Sequence, residues 1–185
     1  DTAFVVNSVY VGADAKVYGN AKVYGNAKVY GNALVYGNAK VYGNAMVYGN
    51  AKVSDNAKVY GESEVYGDVW VSGSAKISGN ASVWLEAKVY GTAEVRGNAN
   101  VYGNATVSGS ASVSGSAKIS GNASVYGDAW VSGNASVYGD AKVYGDVMVS
   151  MHVQIGRGSY NTTPTNITRS DGYTFTLQSD GSIIA

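Results

Sequence analysis

The sequence predicts an all-β solenoid, a rod built by stacking very short strands in successive coils, and three observations carry that prediction. An aliphatic residue stands at every sixth position from Val5 to Ile155, without insertion or slip of phase. Between Gly19 and Gly145 the fifth position of the six-residue unit is Gly in twenty of twenty-two cases, and the sixth is Asn or Asp in sixteen. The position two before each aliphatic residue is Ala in twenty-one of twenty-six units, the others being Val9, Ser63, Val69, Val147 and Val153.

Each element of the unit has a physical reason. In Ala21-Lys22-Val23-Tyr24-Gly25-Asn26, extended backbone sends side chains alternately to opposite sides, so Ala21 and Val23 share one side and Lys22 and Tyr24 the other. Ala and Val are expected inside, around an axis too narrow for larger residues. Gly tolerates positive φ and Asn or Asp bonds local backbone, so the last two residues form a corner. A four-residue strand has no stability alone; it requires neighbours in the coils above and below, about 4.8 Å away.

Composition sets further bounds. The 185 residues carry thirteen basic and thirteen acidic side chains, one His and no Cys, which excludes disulfides and Cys-based zinc sites. No apolar run is long enough for a membrane-spanning helix, and the start lacks a signal-peptide pattern, so the expectation is a soluble protein of unknown compartment, cytoplasmic or part of a phage or extracellular assembly, without membrane insertion. The neutral total hides a polarity: residues 15–60 hold six Lys against the single acid Asp55, whereas 61–95 are rich in Glu and Asp.

The motif [Val/Ile]-x-Gly-[Asn/Asp]-Ala-x, as in Val23 to Lys28 and Val101 to Thr106, resembles the hexapeptide-repeat family of left-handed parallel β-helices, over about residues 3–155. The resemblance implies three hexapeptides per triangular coil, eighteen residues per turn, left-handed winding and, on the strand spacing above, roughly eight coils. It also implies a homotrimer. Function is less determined, since the family holds acyltransferases and γ-type carbonic anhydrases as well as members without known activity.

With eighteen residues per turn, outward residues eighteen apart form columns. The second face carries Lys22, Lys40, Lys58 and Lys76 beside Tyr24, Tyr42, Tyr60 and Ser78, a set suited to an anionic ligand such as nucleic acid, nucleotide or acidic glycan. The third face carries Tyr30, Tyr48, Tyr66, Trp84 and Tyr102, resumed by Tyr138 after Ser120. At its edge Leu85-Glu86 replaces the Gly-Asn corner, so Tyr30, Tyr48, Tyr66, Trp84, Leu85 and Tyr102 are the candidate interface, for a homotrimer or for end-to-end or lateral assembly. The first face is mixed, with Trp70 between Lys52 and Lys88.

Catalytic chemistry finds little material. The one histidine, His152, follows Met151 where the Gly corners stop and is expected at the junction with the C-terminal segment. A zinc site of the carbonic anhydrase type needs three His. Asp128 and Asp146 stack at one corner, but two carboxylates do not close a Ca²⁺ site. The expectation is therefore a non-catalytic structural spacer or self-associating scaffold, with no cofactor and no metal. The alternatives are an anion-binding module and an acyltransferase-like protein.

The predicted solenoid spans residues 1–155. After Ile155 the period ends, and 156–185 reads as a linker and a small β-hairpin cap, with strands at Tyr173 to Leu177 and Ser182 to Ile184 around Ser179-Asp180-Gly181. Its apolar residues are expected to lie over the last coil and cover its strand edges.

Overall fold

The computed structural model describes residues 3–5 and 8–161, together with the strand residues 166–168, 174–177 and 183–184. Its described elements are all strands; twenty-seven of them form three nine-stranded parallel sheets that share one core, and the last three a small separate sheet. The first face runs from Lys16–Val17 to Ser159–Tyr160, the second from Phe4–Val5 to Met148–Val149, and the third from Tyr10–Val11 to Gln154–Ile155. Each strand pairs with the one three later in sequence, in register at eighteen residues, as in Lys22↔Lys40 and Val23↔Val41. The winding is thus three-sided with eighteen residues per coil. It has nine rungs, one more than the repeat count alone implied, because the pairing continues into Ser159–Tyr160.

The inside-outside assignment follows the alternation. From Ala21 to Val143 the inner Ala and Val positions have no exposed surface. One fully buried Val contributes about 1.5–3 kcal/mol, whereas ordering six residues costs about 1–2 kcal/mol each in backbone entropy. No isolated unit balances that cost, so stability belongs to the stack, in which each unit is paired above and below. Backbone bonds between coils run along strands and corners alike: Lys22 N–H donates to Ala39 O at 2.9 Å, Tyr24 N–H to Val41 O at 3.1 Å, and at the corner Asn26 N–H to Gly43 O at 2.8 Å. Ser63, which takes an inner Ala position, is fully buried, and its hydroxyl donates to Tyr60 O at 2.9 Å.

The corners explain their residues. Gly73 has φ +66°, and a Cβ there would stand 2.8 Å from Gly91 O in the next coil. Three other residues occupy the same left-handed conformation: Asp55 at 58°, Leu85 at 61° and Met151 at 62°. Asp55 is compensated, since its Oδ2 accepts the Gly73 N–H at 2.9 Å. The Asn side chains beside the glycines form ladders along the edges, for example Asn20 Nδ2 to Asn38 Oδ1 at 3.3 Å and Asn38 Nδ2 to Asn56 Oδ1 at 3.2 Å.

The two ends differ from the middle. Val9, Ala15 and Val17 are only partly buried, and Phe4 and Tyr10 are exposed, so the dry core begins one coil in. At the other end the last pairing is offset by seventeen, Lys142↔Ser159 and Val143↔Tyr160, and Tyr160 is buried at an inner position. Beyond it, Asn166–Thr168, Thr174–Leu177 and Ile183–Ile184 form an antiparallel sheet, with Thr176↔Ile184 and Leu177↔Ile183 pairing the two expected hairpin strands. The expected cover of the last coil by their side chains lies outside the described residues.

Candidate functional site

The third face brings its predicted aromatic column together as one stack. Ring centroids lie 4.8 Å apart for Tyr30–Tyr48 and for Tyr48–Tyr66, 6.0 Å for Tyr66–Trp84 and 4.7 Å for Trp84–Tyr102, with interplanar angles of 4° to 12°. The rings are therefore half-buried, with faces covered by one another and edges outward. Glu64 sits among them: Tyr48 Oη donates to Glu64 Oε2 at 3.3 Å. Burial, followed by the Glu64 charge, raises the Tyr48 phenol to about 12. The same two causes raise Tyr30 and Tyr66. Because the ring faces are used within the stack, Leu85 is the apolar side chain standing clear at this edge, 49% exposed.

On the second face the Lys column is in register, with Lys40↔Lys58 and Lys58↔Lys76 continuing the first pair. Tyr24–Tyr42 and Tyr42–Tyr60 stack at 4.9 Å and 2°. The fourth lysine is not available as the column predicted: Lys76 Nζ bonds Glu94 Oε1 at 2.7 Å, the one ion pair among the described residues. That hydrogen bond is the largest cause holding Lys76 above and Glu94 below their ordinary values. The column also gains a member at its front. Phe4 pairs with Lys22 and, with Lys22, Tyr24 and Lys40, lines a shallow hollow of about 550 Å³. The eighteen-residue spacing contains the signal for both Phe4 and Glu94.

His152 occupies the sixth position of a corner unit, where its Nε2 lies 3.2 Å from Asn134 Nδ2 of the coil beneath. It is exposed and belongs to the stack, not to a junction beyond it. Asp128 borders a second shallow hollow with Thr92, Glu94, Arg96, Ser110, Ser112 and Trp130. Among the described residues no group of three or more His, Cys, Asp or Glu is placed to hold a metal, and no helix is long and apolar enough to cross a membrane.

Comparison with known proteins fits this geometry. The YdcK Beta solenoid repeat family matches the chain at residues 27–40, 39–53, 97–115 and 117–133. No curated protein matches it. These repeat matches, within a nine-rung, three-sheet stack, make the chain a β-helix repeat protein of the solenoid type.

Proposed function

We propose that the chain is a non-catalytic rod, a structural spacer that associates with copies of itself through the third face, with the Trp84–Leu85 corner at the centre of the contact. The observation that carries this reading is the unbroken register. From residue 8 to Ile155 every described strand is followed six residues later by the next, so no loop leaves the stack to assemble reacting groups beside it. Rigid length and flat area are what such a body offers.

Leu85 supports the choice of contact. An uncompensated Leu at φ 61°, half exposed beside a stack of rings, is a local cost retained at one corner. The motif likeness to hexapeptide-repeat proteins supports left-handed winding and a trimer as the oligomer. Sedimentation equilibrium tests the reading: the wild type is expected to self-associate, and Leu85→Gly, which restores the corner, to shift it to monomer. A wild type that is monomeric at high concentration removes the scaffold function.

An acyltransferase-like activity is the competing reading that the motif likeness brings. His152, paired with Asn134 at an exposed corner, lends it no support. Coenzyme A at millimolar concentration is expected to leave the melting temperature unchanged.

A further inference from the structure

A second surface, independent of the rod's self-association, has its own chemistry. We infer that the front of the second face binds a linear acidic polysaccharide, with Lys22, Lys40 and Lys58 pairing its sulfates or carboxylates and Phe4 walling the hollow at the end of the track.

The three lysines lie on consecutive rungs in register. Rungs about 4.8 Å apart place like charges where they repel, and no carboxylate among the described residues pairs with these three. The one acid within 15–60, Asp55, is held by the Gly73 N–H. Glu94, on the sixth rung, ends the track by engaging Lys76 on the fifth. Of the six lysines in 15–60, the second face alone carries three on consecutive rungs in register, and an external polyanion is the natural complement of that row.

The rings decide which polyanion. Tyr42 is covered on both faces, and Tyr24 and Tyr60 on one each. Bases of single-stranded nucleic acid bind by stacking on free ring faces, and this column has no succession of them to give. It presents ring edges, flanked by ammonium groups. Two rungs span about 9.6 Å, close to the length of one disaccharide, so a glycan with one anionic group per sugar meets an ammonium at each rung. The phosphate backbone of a nucleic acid finds the charge but not the stacking that usually accompanies it.

The test is titration of the whole chain with a size-defined heparin oligosaccharide, by calorimetry, at two salt concentrations. Affinity is expected to fall roughly tenfold or more between about 50 and 200 mM salt, as release of counter-ions from three contacts requires. The double variant Lys22→Gln, Lys40→Gln is expected to lose at least about tenfold, because two of the three charge contacts go. Lys52→Gln with Lys88→Gln, on the first face, is expected to change nothing. Glu94→Gln provides a gain: releasing Lys76 adds a fourth contact, tightens binding and steepens the salt dependence by about one contact. No binding at low salt overturns the inference, as does equal loss from both double variants. Single-stranded DNA of the same charge binding as tightly reassigns the face to nucleic acid and overturns the glycan.

Discussion

Tyr48 and Glu64 meet across one rung of the third face, the phenol donating to the carboxylate at 3.3 Å in the middle of a stack of rings. Burial first and the Glu64 charge second raise this phenol to about 12 from the ordinary tyrosine value of 10.0. A neutral acid whose folded value is raised contributes stability that is complete below pH 10 and is lost as pH rises towards 12. The wild type is therefore expected to lose stability across that window, with one tyrosine ionising last in a spectrophotometric titration near the phenolate band. Tyr48→Phe removes that last step and flattens the alkaline loss. Glu64→Gln moves the step to lower pH. A titration in which Tyr48→Phe leaves the late step in place refutes the assignment.

Leu85 and Asp55 share a left-handed corner conformation but not its compensation. Leu85→Gly is expected to relieve about 1 kcal/mol of backbone strain and raise the melting temperature of the monomer by roughly 2–4 °C. Asp55→Gly gives up a hydrogen bond to Gly73 and is expected to gain nothing or to lose. Thermal unfolding of the two variants at low concentration checks the contrast.

Corner glycines differ in what lies beneath them. At Gly73 a Cβ meets Gly91 O at 2.8 Å, whereas at Gly145 the nearest atom is Asn161 O at 3.8 Å. Gly145→Ala bears only the dihedral cost, about 1 kcal/mol, and Gly73→Ala adds backbone displacement for about 2–4 kcal/mol in all. Denaturant unfolding that ranks them equally contradicts the close approach of the coils.

Because the unit is six residues and the coil eighteen, removing one unit turns every later face by one side. Deletion of 109–114 brings Tyr126 into register with Tyr102, where Ser120 stands in the wild type. The variant is expected to fold, to keep its cooperativity and to gain near-ultraviolet dichroism from the new ring pair. Loss of folding shows instead that the outer columns, and not the inner Val and Ala, set the register.

The inner pattern was legible because a strand's side chains alternate and the phase never slips, so Ala21, Val23 and their equivalents declare the core directly. The column members were legible for the same reason, once eighteen was taken as the turn. Three things were hidden. The ninth rung was masked because Ser159–Tyr160 arrives one residue early and carries Tyr where Val is the rule. His152 was obscured by Met151, which holds the left-handed corner without being Gly. The neutralisation of Lys76 lay in an acid whose own repeat differs from the Lys units before it, Glu94. Spacing also did not say that the rings cover each other's faces, and that orientation decides what the second and third faces can recognise.

Tyr160 has a consequence for how such a chain grows. Seventeen residues separate it from Val143, where every earlier step takes eighteen, so translational symmetry stops there and a bulky ring plugs the axis. A duplicated unit inserted upstream lengthens the rod and leaves this plug in place. The same unit inserted directly after Ile155 would place its aliphatic residue eighteen after Val143 and move the seventeen-residue step one side further on. Duplication of whole hexads is thereby permitted anywhere ahead of the plug, and the near-identical hexads from Ala21 to Asn50 show the uniformity such a rod tolerates.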